Sequence, residues 1–562
     1  MINEDKQINL IINAIDSGNI DIIIHSDINN KDIVHEIYKR NLLSLERLKF
    51  LIKNCSQYIS SSLIKEWIRD DNNSESLEIL FNTYKFYDND FIKWLLYQYK
   101  NKSCISSTNL NNQIFNEKYK ISKCNISNSN TAYLFKTCRE GNEHLTKYLI
   151  QHGADINKEN ENGETPLFYA CYSRNKNIIK YLIELGANIN KEDQIGETPL
   201  FRACYDGNEK IIKYLIDLGA DINKKNRCGE TPIFNLCKSE KNEKIIKYLV
   251  SLGANINKEN KDGETPIFNA CYYGNENIIK CLIDLGADIN KEKLNGETPL
   301  FKACYCGNEN IVKYLINLGS DINKVNRNGE TPLFNACRKN NENIIKYLID
   351  LGANINKENK YSETPIIIVC NNRNENMVKY LINHGADINK ENNKGETPLI
   401  IACNDGNENM VKYLIEHGAD VNQGDKRAPL LIACSNGKEN IVTCLIEHGA
   451  DVNKEEFYGE TPLLYSCRCG YENIVKYLIE HKANINKENI FMETPLFGAC
   501  KNGSETIIKY LIEHGADINK KNCYSETPLI YARNCRNENI IKYLTEHVAE
   551  INNKSEGKIM RL

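Results

Sequence analysis

Proline is scarce in this chain. Average usage of about 5% would place roughly 28 prolines in 562 residues, and there are 12. Tryptophan (2) and methionine (5) are rarer still. Charge of one sign is not in excess: 71 Lys+Arg stand against 75 Asp+Glu, for a net charge of -4. A nucleic-acid-binding protein would be expected to carry a basic surplus, so nucleic acid is not an expected partner. Long apolar runs are missing as well. The longest, such as Ile366-Ile367-Ile368-Val369-Cys370, are of core-segment length, which excludes an expected membrane span of about 18 residues or more. The opening Met1-Ile2-Asn3-Glu4-Asp5-Lys6 has no apolar stretch of the kind a secretory signal needs. Wholesale disorder is excluded by a hydrophobic content of 41%. The 22 cysteines do not suggest a disulfide scaffold, because that reading belongs to short secreted chains. Reduced thiols and a cytoplasmic location are expected, with the nucleus left open. The abundance of Asn, Ile and Lys reads as a codon bias. Length alone suggests about four domains.

The few prolines are not scattered. They stand at 166, 199, 232, 266, 299, 332, 365, 398, 429, 462, 495 and 528, a spacing of 33 broken only once by 34 and once by 31. A period this regular marks a repeat array, not four domains. One unit reads Gly196-Glu197-Thr198-Pro199-Leu200-Phe201-Arg202-Ala203-Cys204-Tyr205-Asp206-Gly207-Asn208, then Ile211-Ile212-Lys213-Tyr214-Leu215-Ile216, then Gly219-Ala220-Asp221-Ile222-Asn223. Thr198 is placed to be an N-cap and Pro199 the first helical residue, where a missing N–H is harmless. Leu200, Ala203 and Cys204 form one apolar face, and Ile211, Ile212, Leu215 and Ile216 form another. Gly207-Asn208 turns the chain between the two helices, and Gly219 closes the second as a left-handed cap. Two such short helices cannot bury their apolar faces alone, so the unit is stable only in a stack.

The unit resembles the ankyrin repeat, with its T-P-L-x-x-A core and 33-residue period. Twelve copies carry the proline, and an upstream copy from Ala132-Tyr133-Leu134-Phe135 to Gly153-Ala154-Asp155-Ile156-Asn157 lacks it. The resemblance implies an all-α solenoid of stacked helix-turn-helix units with short β-turn fingers. It covers about thirteen repeats over 128–552. Three departures stand out. The T-P-L-H histidine of the family is replaced by Phe or an aliphatic residue, as at Phe168, Phe201, Phe234, Ile367, Ile400 and Leu431, so a polar tie gives way to apolar packing. The repeat from Pro232 holds an extra residue near Lys238–Asn242. The finger at Asp425-Lys426-Arg427-Ala428-Pro429 is two residues short and lacks the Gly-Glu-Thr, so a distorted finger and an altered curvature are expected there.

The ends differ from the array. Residues 1–127 have no proline but remain helical in pattern. Ala14-Ile15-Asp16-Ser17-Gly18-Asn19 followed by Ile22-Ile23-Ile24 mimics the middle of a repeat, and the sets Leu45, Leu48, Leu51, Ile52 and Leu77, Ile79, Leu80, Phe81 look like second helices. Degenerate repeats acting as a cap are expected, with a separate docking domain around Trp67 and Trp94 as the alternative. Residues 553–562 read as a polar tail.

Several residue types recur at fixed repeat positions. Twelve cysteines (Cys138, Cys171, Cys204, Cys237, Cys271, Cys304, Cys337, Cys370, Cys403, Cys434, Cys467 and Cys500) share one small-residue core position. Layers about 8–10 Å apart are too far for disulfides, which need Cα atoms within about 7 Å. Buried free thiols are expected, and neither zinc nor another cofactor. His152, His384, His417, His448, His481, His514 and His547 precede the loop glycine or its replacement, where a ring complements the helix dipole. A glutamate precedes Thr-Pro in eleven copies, from Glu164 to Glu526. It reads as a solvated ladder offset by lysines such as Lys191, Lys258 and Lys487, or as an acidic rim for a basic peptide.

In the family, the fingertips and the exposed end of the first helix contact partners. By that resemblance the candidate contact residues are Tyr172, Tyr205, Tyr272, Tyr273, Tyr305, Arg338 and Arg468 along the groove, with Phe457, Tyr458, Phe491 and Tyr524 at the tips. Exposed aromatics and arginine are what interface hot spots favour. No phosphate-binding loop, nucleophile elbow, zincin or kinase motif is present. The chain is therefore expected to be a non-enzymatic, monomeric scaffold that binds protein partners. The alternatives are a substrate-recognition subunit of a ubiquitin-ligase-type complex docked through 1–127, and an enzyme whose site would involve groups such as His25, His35 and Cys55.

Overall fold

The structure, a computed structural model, describes residues 4–17, 37, 42, 44, 47, 50, 51, 129–424, 427–534 and 538–559. Among the described residues the regular structure is α-helix with one short 3-10 turn and no strand, as an all-α fold requires. The chain forms two compact units, Met1–Lys261 with Lys280–Ala287, and Asp262–Ile279 with Asp288–Leu562.

Within each unit the proline period sets the helices. The Pro199 repeat is representative: a first helix Pro199–Tyr205 and a second helix Glu209–Asp217. Leu200, Phe201, Ala203 and Cys204 of the first and Ile211, Ile212 and Leu215 of the second are fully buried. Each buried Leu or Ile contributes about 1.5–3 kcal/mol, and both helices supply them to one layer. Gly219, at φ 94°, turns the chain so that its N–H reaches Ile216 O at 2.9 Å and that of Ala220 reaches Leu215 O at 3.0 Å. Those bonds satisfy the last carbonyls of the helix.

The threonine departs from expectation. Thr198 has the extended N-cap backbone, yet its hydroxyl makes no capping bond. Among the described residues the buried hydroxyls of Thr198, Thr231, Thr265, Thr331, Thr364 and Thr494 have no hydrogen-bond partner. Thr397 and Thr461 do cap, accepting from Ile400 N and Leu464 N. The residue two after the proline, where the family has histidine, is Phe or aliphatic, so no side chain there can bond the hydroxyl.

The asparagines have structural roles, which corrects the reading of their abundance as codon bias alone. Asn142, Asn175, Asn208, Asn374 and Asn407 cap the second helices by accepting backbone N–H bonds. A second set ties each layer to the next. Asn223 donates to Gly253 O at 2.9 Å and accepts from Asn255 N at 3.0 Å, and Asn356 does the same with Gly385 O and Asp387 N. A third set folds the fingers. Asn326 Oδ1 accepts from the N–H groups of Asn328 and Glu330. Neighbouring fingers are joined by backbone bonds, for example Gln194 N to Asn162 O at 2.8 Å in the first unit and Arg327 N to Asn295 O at 2.7 Å in the second.

The longer irregular repeat absorbs its extra residue locally. In the longer one the first helix stops at Leu236 and a 3-10 turn, Glu240–Asn242, takes up the insertion. The buried Asn242 side chain donates to Leu236 O at 2.9 Å. At the short finger, Ala428 occupies the N-cap place and provides no side-chain cap. Residues 425 and 426 lie outside the described residues.

At the N-terminal end, a helix Glu4–Ser17 buries Ile8, Ile11, Ala14 and Ile15, and Arg47 pairs with Asp16 at 2.7 Å. Leu51 is buried. Ile22, Ile23, Ile24, Leu45, Leu48, Ile52, Leu77, Ile79, Leu80 and Phe81 lie outside the described residues. So do Trp67, Trp94, His25, His35 and Cys55. At the other end the last helix, Glu538–Ile559, runs on through most of the expected tail.

Candidate partner-binding site

The first helices of successive repeats pack side by side within each unit. Their sixth position after the proline carries Tyr172 and Tyr205 in the first unit and Tyr272 and Tyr305 in the second. All four are exposed, Tyr205 at 59%. A side chain six residues past Pro sits at the end of the short helix, beyond the buried Leu, Ala and Cys positions, so geometry directs it away from the core.

Each of these rings is flanked by a cation. The guanidinium of Arg202 lies 5.3 Å from the centroid of Tyr172 and 5.5 Å from that of Tyr205. Arg139 also lies 5.3 Å from Tyr172, and Lys238 5.2 Å from Tyr205. In the second unit Lys302 is 4.7 Å from Tyr272 and Lys339 4.2 Å from Tyr305. These contacts are within cation–π range, about 0.5–1 kcal/mol at exposed sites, and they hold the rings in place. Tyr273 packs edge-on against Tyr272 at 5.1 Å.

Arg338 and Arg468 occupy the same column but are committed internally. Glu330 is 3% exposed and Glu460 5%. Both guanidinium Nη atoms of Arg338 bond the Glu330 carboxylate, and Arg468 Nη2 bonds Glu460 Oε1 at 2.9 Å. Burial alone would push the Glu330 carboxyl up, but the bonds and charge of Arg338, with Asn326 and Asn359, hold it below the ordinary carboxylate value. The glutamate column is therefore not a solvated ladder. Its members are half-buried or buried and hydrogen-bonded within the fingers, Glu164 to Asn160 and Tyr169 at 2.9 Å each. Two of the lysines expected to offset it pair with other glutamates. Lys191 pairs with Glu159 and Lys487 with Glu455, at 2.7 Å each.

The fingertips form a different surface. Phe457, Tyr458, Ile490, Phe491, Met492 and Tyr524 are exposed, Phe457 at 75%. Successive tips are joined by Ile490 N to Tyr458 O at 3.0 Å and Cys523 N to Phe491 O at 2.9 Å. Met492 stands at φ 58° where regular fingers have glycine.

The cysteine column is free and buried throughout. Burial pushes the Cys138 and Cys434 thiols up to about 12, so these groups are packing, not chemistry. Cys304 and Cys467 are buried while Cys306 and Cys469 are not. Among the described residues no group of His, Cys, Asp and Glu is placed to hold a metal ion, and no helix is long and apolar enough to cross a membrane. The histidines close their helices: Nδ1 of His384, His417 and His514 donates to the carbonyl four residues earlier at 2.8 Å, and the ring lies against that residue's tyrosine ring.

The cations over the tyrosines escaped the reading of the sequence. Arg202 is three residues before Tyr205, one helical turn away, and that spacing signals the contact between them. It does not say that the charge also reaches the tyrosine of the preceding repeat, which only the stacking provides.

A sequence model of ankyrin repeats matches the chain in overlapping windows, residues 11–193, 134–226, 200–293, 290–359, 352–425, 422–489 and 486–555. No curated protein matches it.

Proposed function

The chain belongs to the ankyrin-repeat family, and on that premise we propose that it is a non-enzymatic scaffold that binds partner proteins along the first-helix face and the fingertips. The observation that carries this reading is the column of exposed tyrosines, each braced by Arg or Lys. Rings held in fixed positions lose little entropy on contact, and aromatic residues dominate interface energetics. The apolar tips from Phe457 to Tyr524 supply a second contact region, since exposed clusters of large apolar side chains mark interaction sites. Residues 1–127 serve as degenerate repeats capping the array, a reading supported by the buried apolar face of Glu4–Ser17 and by a family match that reaches back to residue 11.

The test is a quantitative affinity capture comparing the wild type with a variant carrying Tyr172→Ala, Tyr205→Ala, Tyr272→Ala and Tyr305→Ala. The proteins that depend on the chain should be lost from the variant while its helical signal is kept. An unchanged set of captured proteins would remove the tyrosine column from the site.

A further inference from the structure

Charge is unevenly resolved along the tyrosine column of the second unit. Three finger glutamates lie beside it, and each has an internal cation. Lys293 bridges Glu264 at 3.5 Å and Glu297 at 2.9 Å, and Arg338 holds Glu330. Two more cations remain. Among the described residues Lys302 and Lys339 form no ion pair, and they stand over Tyr272 and Tyr305. An ammonium over a ring keeps its N–H donors on the far side available, because a π-face takes up only one direction of approach. Cys306 lies in the field of both ammoniums, which places the two charges around one patch of surface.

Resting on the scaffold reading above, we infer that Tyr272, Lys302, Tyr305 and Lys339 form a binding strip for an acidic, extended peptide segment of the partner. Its carboxylates meet the two ammoniums and its intervening apolar side chains lie on the two tyrosines. Adjacent helix layers are about 8–10 Å apart and an extended chain advances about 3.3 Å per residue. Acidic residues about three positions apart in the peptide therefore match the strip. The repeats that follow the Pro332 repeat offer no continuation, because the same column there holds Asn371, Asn404 and Ser435, so the strip has a defined end.

The experiment is fluorescence anisotropy on the full chain with a labelled nine-residue peptide that carries Glu at every third position and Leu between, beside the same peptide with Gln for Glu. The acidic peptide should bind at least about tenfold more tightly than the Gln peptide, the scale of one charge-assisted contact. A Lys302→Ala, Lys339→Ala variant should remove that difference, and Lys302→Arg, Lys339→Arg should restore it. Equal binding of the two peptides, no binding of either, or a preference that survives the double alanine change overturns the inference. Failure here is separable from failure of the scaffold reading. Partners lost with the tyrosine variant but kept with the lysine variant leave the scaffold standing and remove the acidic ligand.

Discussion

Replacing Arg338 with alanine should open one finger without unfolding its neighbours. Glu330 is 3% exposed and takes bonds from Arg338 Nη1 at 2.9 Å and from Asn326 and Asn359 at 3.4 Å each. Removing one partner of a buried ion pair costs about 3–5 kcal/mol. The Arg338 side chain is 38% exposed, so water already screens part of the pair, and the two asparagines stay. About 2 kcal/mol is the expected loss. In a repeat array a single unfolding midpoint is poorly defined, so the assay is amide hydrogen exchange by mass spectrometry. The reporters are the finger amides of Asn326, bonded to Glu330 O at 2.9 Å, and Gly329, bonded to Asn326 O at 3.0 Å. About 2 kcal/mol corresponds to roughly 30-fold faster exchange. The pH dependence gives a second reading. In the wild type the Glu330 carboxyl is held low, so its contribution is present above the unfolded carboxyl pKa and fades as pH falls through the folded value. In the variant, burial is no longer outweighed by the guanidinium, and the folded value should lie above the unfolded one. That sign reverses the slope: the variant's deficit should shrink as pH falls from 7 towards 5. Wild-type exchange at these amides, or a deficit that does not change with pH, would refute the reasoning.

Four further outcomes follow from the packing. Thr331→Val should be neutral or stabilising by up to about 1 kcal/mol, since the buried hydroxyl has no partner and its loss leaves nothing unpaired. Thr397→Val should instead cost about 1 kcal/mol, because Thr397 Oγ1 accepts from Ile400 N at 3.2 Å; amide hydrogen exchange of the helices Pro332–Arg338 and Pro398–Asp405, measured side by side in the two variants, checks the contrast. Gly498→Ala should destabilise by about 1–3 kcal/mol despite better helix propensity, because the new Cβ would sit 3.2 Å from Arg468 N and 3.3 Å from Leu464 O; slower amide exchange in the helix Pro495–Asn502 would contradict it. Alkylation of the native protein mapped by mass spectrometry should label the exposed Cys228, Cys469 and Cys523 and spare the buried column, and labelling of Cys204 or Cys304 at a comparable rate would show that the column is open.

The scaffold was legible because its signals are local. Pro199 at the first helical position, the buried set Leu200, Ala203 and Cys204, and Gly219 at positive φ each follow from one residue's own geometry. The same locality explains what was missed. Thr198 has the right backbone for a cap, but whether its hydroxyl finds a donor depends on what packs over it. Glu330 and Glu460 looked exposed because glutamate usually is, and their burial depends on an arginine eight residues later folding back. The abundance of asparagine reads as a codon bias in the sequence, although Asn223 and Asn356 bond backbone groups about thirty residues away. No single-repeat pattern displays a bond of that span. Of the surface, the tyrosines were visible as a column, and their cations became visible only when layers were stacked.

Site-specific photo-crosslinking tests the central claim most directly. A photoreactive phenylalanine analogue at position 305, on the first-helix face, should crosslink a protein captured by the full chain. The same analogue at position 317, exposed at the end of the second helix Glu309–Asn317, should not. Crosslinks from 317 with none from 305 would contradict the account, because the partner would then lie against the second helices and the braced tyrosines would have no part in holding it.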